Sequence, residues 1–188
     1  MKSAAIILAV IAASASAQGV APYSELRFRG SLVKNTSFGA ISDNWSAKTG
    51  FTVDVGTPLT AGEVALGLSH IGYTSTTGQP DYKATVFSLS WLSPEYGHRI
   101  VKVSGGIRLS DYRMDFDDPN AGPGLKTEEE VMPGVIGRGR LALTPRFSLV
   151  ADGAYGLLMV AHHTPMTFLS VGGQATVAAP GWLRDFLR

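Results

Sequence analysis

No cysteine occurs among the 188 residues, so the chain holds no disulfide, no thiolate metal site and no cysteine nucleophile. Charge is sparse and balanced, with 16 Lys and Arg against 15 Asp and Glu. The formal surplus of +1 sits at Lys2, inside the leader described below. A chain without a basic excess lacks the electrostatic footprint of a nucleic-acid binder, and no nucleic-acid partner is expected. After that leader no apolar run approaches the ~20 residues of a membrane helix. Yet 45% of the chain is hydrophobic, and Gly is abundant at 22 residues. The apolar residues must therefore be distributed in some other way.

Residues 1–17 carry a basic start at Lys2, an apolar run from Ala4 to Ala13, and the closing triplet Ala15-Ser16-Ala17. This is the pattern of a secretory signal peptide cleaved before Gln18. The run is too short for a membrane anchor, and no Cys follows the cleavage site to make it a lipoprotein leader. The expected organisation is a leader over 1–17, one domain over 18–180 and a short tail over 181–188.

The stretch 100–111 shows how the apolar residues are placed. Val101, Val103, Gly105, Ile107 and Leu109 alternate with Lys102, Ser104, Gly106, Arg108 and Ser110. Side chains of a strand alternate faces, so one face is apolar and the other polar and charged. The same alternation predicts strands over 23–34, 45–55, 63–73, 82–92, 100–111, 131–143, 147–160 and 167–178. In the third it blurs beyond His70, where Ile71 and Tyr73 fall on the polar side. Residues 35–44, 74–81 and 115–130 read as polar loops, the last with Pro119, Pro123, glycines and an acidic run. The connections after the second, fourth and sixth strands are compact and carry proline. The tail offers one amphipathic helical turn with Trp182, Leu183, Phe186 and Leu187.

Eight antiparallel strands with one apolar face can close into a barrel, which removes exposed edges. Alternation alone leaves two orientations open. A soluble lipocalin-like barrel turns its apolar face inward to carry an apolar ligand; a membrane barrel turns it to lipid. Three features favour lipid. Full charges sit mid-strand on the polar face. Small residues crowd that face (Gly67, Ser88, Ser104, Gly106, Ala154, Gly156, Gly172), as a narrow eight-stranded lumen requires if long cations share it. Tyr23, Trp45, Tyr73, Trp91, Tyr112 and Phe147 lie near strand ends, as interfacial girdles do. The expected fold is an all-β, eight-stranded antiparallel up-and-down transmembrane barrel with a polar, hydrated, mostly plugged lumen. The expected lumen network is Glu25, Arg27, Arg29, Asp54, Lys102, Arg108, Arg138, Arg140, Asp152 and Gln174, in which bases outnumber acids.

On this architecture, and over residues 23–178, the chain resembles the small outer-membrane β-barrel families, the opacity-type proteins and the OmpA-type transmembrane domain. The resemblance implies a bacterial outer-membrane location. It also implies outer-membrane lipids, lipopolysaccharide and the barrel-assembly machinery as partners. Such barrels often end the last strand on an aromatic residue read by that machinery. Here the chain runs on to Arg188, and Phe186 or Trp182 is the candidate stand-in.

Other constellations point to loops rather than chemistry. His162-His163 lacks a fixed carboxylate or third ligand. His70 and His98 read as rim residues. Asp115, Asp117, Asp118 and Asn120 resemble the start of a calcium loop, but Pro119 interrupts it and Lys126 stands where the bidentate Glu belongs. Divalent-ion bridging to lipopolysaccharide phosphates is a further reading of that acidic loop. A membrane hydrolase acting on lipid A or peptides needs a His and Ser on one strand face, whereas Ser69 and His70 are adjacent and point apart. The expectation is a non-enzymatic protein without metal or cofactor. Its role is envelope structure or surface contact through 35–44 and 115–130.

Overall fold

The structure, a computed structural model, describes residues 21–36, 40–117, 127–159 and 163–186; the expected leader lies outside them. Eight long strands run β1 (Glu25–Asn35), β2 (Gly50–Leu59), β3 (Gly62–Ser75), β4 (Tyr82–Leu92), β5 (Val101–Phe116), β6 (Thr127–Ala142), β7 (Phe147–Leu158) and β8 (Thr164–Ala178). Each pairs antiparallel with its neighbours in sequence. β1 also pairs with β8, Arg29 opposite Gln174, so the sheet closes on itself. Closure leaves no long edge for another chain to extend.

The alternation is unbroken along these strands, and the outward face is the apolar one. Val53 is 49% exposed, Val103 54% and Leu169 52%. Phe28, Leu32, Leu66, Phe87, Ile107 and Val135 join them in a belt round the wall. Lys102, Ser104 and Arg108 on β5 point inward between those positions. This is the reverse of a soluble barrel that carries an apolar ligand. An apolar belt this extensive is not stable against water and calls for hydrocarbon around it.

Several boundaries differ from the sequence reading. The stretch 45–55 is not one strand. Trp45–Ala47 is a separate short strand on the far end of β3, and β2 begins at Gly50. β2 then continues through Pro58 to Leu59 and turns tightly at Thr60-Ala61. Gly62 closes that turn with φ 111°, where a side chain would strike the Leu92 carbonyl. Residues 40–44 form a short helix, α1 (Ala40–Asn44), rather than irregular loop. β5 and β6 are 16 residues each and take up both ends of the expected 115–130 loop; 118–126 lie outside the described residues. A tilted strand crosses a bilayer in about 9–11 residues, so this hairpin stands beyond the belt. There, Asp111, Arg113 and Glu129 face outward in place of apolar residues. After β8, α2 (Gly181–Phe186) lies at the end that carries the tight turns, with Trp182 and Phe186 exposed.

Ile71 and Tyr73 keep the inward parity of Ala65, Gly67 and Ser69. The register of β3 does not slip at His70; the lumen itself changes character there. Tyr73 and Tyr112 are buried in the lumen and are not girdle residues, whereas Phe147 is exposed on the outer wall.

Candidate functional site

The lumen is filled in two layers. The layer near the tight turns is ionic. From β1, Arg27 Nε donates to Glu25 Oε1 at 2.8 Å, and its Nη1 to Glu63 Oε2 at 2.7 Å. Arg29 Nε donates to Asp54 Oδ1. Its Nη1 lies 2.6 Å from Glu63 Oε1 and donates to Gln174 Oε1 at 3.3 Å. From β6, Arg138 makes a two-pronged bond to Asp152, at 2.7 and 2.8 Å, and also reaches Glu63 Oε1 at 3.3 Å. Arg140 grips Glu95 in the same two-pronged way, at 2.7 and 2.6 Å, with Lys102 Nζ 3.3 Å from Glu95 Oε2.

All ten residues read from the sequence as a lumen network therefore face inward, and nine of them share direct polar contacts. Arg108 is the exception. It makes no ion pair among the described residues, and its buried Nε has no hydrogen-bond partner. It lines a cavity of about 30 Å³ together with Asp54, Asp152, Ser88 and Ser90, room for about one water.

Two acids at the centre of this layer escape the strand-by-strand reading. Glu63 opens β3 and receives three arginines: Arg27, Arg29 and Arg138. Glu95 comes from the turn between β4 and β5 and folds back into the barrel mouth. With them, six cations face five carboxylates, and the apparent excess of base nearly closes. Pairing of this kind offsets the cost of burying charge.

Burial alone would raise the Glu95 carboxyl. The hydrogen bond from Arg140 and the charges of Arg27, Arg140 and Lys102 outweigh it and hold the group below its ordinary value of 4.5. A depressed acid stabilises the folded state at pH above that ordinary value, and the contribution fades as pH falls below it. Glu95→Gln should therefore lower unfolding stability at pH 7 by roughly 1.5–3 kcal/mol. The gap between variant and unaltered chain should shrink towards pH 3. A pH series of urea unfolding in detergent micelles checks this, and a gap independent of pH would contradict it.

The second layer, towards the longer loops, is apolar and aromatic. Tyr73 stacks on Tyr82 at 4.3 Å, and Trp45 meets Tyr82 edge-on at 5.4 Å. Tyr112 Oη donates to Tyr73 Oη at 3.0 Å. Ile71, Met114, Met132, Leu158 and Met166 fill the space between, all buried. The polar filling expected from the sequence therefore occupies the half near the tight turns, and apolar side chains plug the other half.

The remaining candidates are dispersed. Ser69 faces the lumen and shares a 2.8 Å hydrogen bond with Thr52, while His70 faces outward beside Phe51, ring centroids 5.9 Å apart. His98 and His163 are exposed, and Asp111 faces outward on β5. His162, Asp118 and Asn120 lie outside the described residues. Among the described residues no His, Asp and Glu group is arranged to hold a metal ion.

A closed eight-stranded barrel, apolar without and filled within, is a transmembrane barrel of the outer-membrane kind. Comparison with solved structures agrees on the fold. The chain is similar to Neisserial surface protein A, with TM-score 0.60, 18% identity and 80% of this chain and 95% of that one covered. It is also similar to Ail, the attachment invasion locus protein of Yersinia pestis, solved with the heparin analogue sucrose octasulfate. That match has TM-score 0.57, 12% identity and coverage of 84% and 100%. A third likeness is to the outer membrane protein OprG of Pseudomonas aeruginosa, with TM-score 0.57, 10% identity and coverage of 84% and 97%. No family model and no curated protein matches the sequence. The chain is thus an outer-membrane β-barrel protein. By the rule for such barrels, its tight turns face the periplasm and its longer loops the exterior.

Proposed function

We propose that the protein is a non-enzymatic barrel whose work is contact at the cell surface and support of the envelope, done by its outer end. The observation that carries this reading is the filled lumen. An ionic layer and an aromatic layer lie in series across it, and the cavity beside Arg108 is about 30 Å³. Among the described residues a barrel so filled offers no aqueous path for solutes, which leaves its outer surface to act. The β5–β6 hairpin supports the same reading, since it carries Asp111, Arg113, Asp115 and Glu129 beyond the belt. Lipopolysaccharide is the proposed neighbour at that level, and the barrel-assembly machinery the proposed partner during insertion.

Attachment is part of the printed name of the Yersinia protein, and its structure holds a sulfated sugar. The outer end of this chain is acidic in balance, with Asp111, Asp115, Asp117, Glu128 and Glu129 around Arg113, Lys48 and Lys83. Retention on a heparin column at physiological salt is therefore not expected here.

A strain lacking the gene tests the proposal. The full chain should restore its surface-contact and detergent-resistance defects. A chain with 36–49 and 117–126 replaced by short turns should assemble but not restore them. Full restoration by the shortened chain would contradict the proposal. So would a large, steady conductance of the purified barrel in planar bilayers.

A further inference from the structure

The periplasmic end carries a pattern that the outer end lacks. Three successive connections at that end each expose an arginine beside exposed apolar side chains. Arg99 adjoins Ile100 before β5; Arg146 lies between Leu143 and Phe147 in the turn from β6 to β7; Arg184 sits in α2 between Trp182 and Phe186. The connections bearing Arg99 and Arg146 are adjacent round the rim, and α2, bearing Arg184, follows the next strand, β8. Ala142 donates its N–H to the Ile100 carbonyl at 2.8 Å, and Thr176 donates to the Arg146 carbonyl at 2.8 Å, just before β8 runs on into α2.

None of these arginines makes an ion pair among the described residues. The acids of the same connections are Glu95, turned inward onto Arg140, and Asp185. The other half of the rim, at Tyr23-Ser24 and Thr60-Ala61, has no cation. Trp182 is 70% exposed and Phe186 81%, in the helix that follows β8 and its belt residue Val177. Aromatic rings and snorkelling arginines at the edge of a hydrocarbon belt belong at headgroup depth.

We propose that the periplasmic rim from β5 to α2 is a binding surface for anionic phospholipid of the inner leaflet, phosphatidylglycerol being the simplest such headgroup. The guanidinium groups of Arg99, Arg146 and Arg184 take the phosphates. Ile100, Leu143, Phe147, Trp182 and Phe186 lie against the glycerol and upper acyl region. Charge complementarity selects an anion, and continuity with the belt selects a lipid over a soluble polyanion. Each arginine near an anionic surface strengthens binding roughly fivefold at low salt, so three confer a preference of about 100-fold over a zwitterionic lipid.

The test is native mass spectrometry of the folded chain in zwitterionic detergent, titrated with phosphatidylglycerol or phosphatidylcholine. The unaltered chain should retain phosphatidylglycerol preferentially, and added salt should erase the preference. The combined Arg99→Gln, Arg146→Gln, Arg184→Gln variant should retain both lipids equally. A control with Lys34→Gln, Lys48→Gln and Lys83→Gln at the outer rim should keep the preference. Equal retention of the two lipids by the unaltered chain would overturn the proposal, and that comparison needs no variant to fold. Loss of preference in the outer-rim control, to the same degree as in the arginine variant, would also overturn it.

Discussion

An arginine in place of Val103 or Ile107 is expected to block or slow insertion, whereas Ser104→Asn is expected to assemble like the unaltered chain. Val103 and Ile107 project from the outer wall of β5, 54% and 63% exposed, while Ser104 points into the lumen between them. A guanidinium at mid-depth on the lipid face costs roughly 2–4 kcal/mol and much less near the interface. Val103 and Ile107 lie equally far from Gly105, the centre of the exposed run from Val101 to Leu109, so the two changes should cost about the same. The same change at Asp111, beyond the belt, should cost almost nothing. Heat-modifiable mobility after refolding into vesicles reads the folded fraction. Equal yields for Ile107→Arg and Asp111→Arg would contradict the account.

Glu63→Leu should be the most damaging change inside the lumen, at roughly 3–5 kcal/mol, because it strands buried cations. Arg27, Arg29 and Arg138 all lie within 3.3 Å of its carboxylate. Arg108→Met offers the opposite case. Among the described residues Arg108 has no ion-pair partner and an unpaired buried Nε, so an apolar side chain of similar length removes a cost and leaves no charge behind. It should leave stability unchanged or raise it. Denaturant midpoints for both variants check this contrast, and similar losses would mean that the lumen tolerates charge by hydration rather than pairing.

The wall of the barrel was legible in the sequence because its period is two and its outer face is uniformly apolar. Val101 to Leu109 show the alternation without interruption. The interior was less legible. Glu63 shares parity with Ala65, Gly67 and Ser69, so counting back from the strand centre reaches it; its place beside the Gly62 turn hid the signal. Glu95 offers no such signal, since a turn residue has no parity and only the closed barrel shows it folding back onto Arg140. The apolar layer fails a simpler rule. Polar-inside is a tendency of membrane barrels, but a narrow lumen must first be filled. Towards the exterior, Ile71, Tyr73, Met114, Met132 and Met166 fill it with hydrocarbon. Ile71 and Tyr73 fall on the polar side in the sequence, and the polarity expected of that side does not extend to them.

The most direct test of the account is site-directed spin labelling, which the absence of native cysteine makes clean. Single cysteines in place of Val53, Val103 and Leu169, labelled in bilayers, should collide readily with dissolved oxygen and rarely with a water-soluble nickel chelate. A label at Asp111 should show the reverse. If the three belt positions were shielded from both relaxants while labels at Lys102 and Arg108 met the nickel chelate freely, the apolar face would lie inside the cylinder, and the transmembrane reading would be wrong.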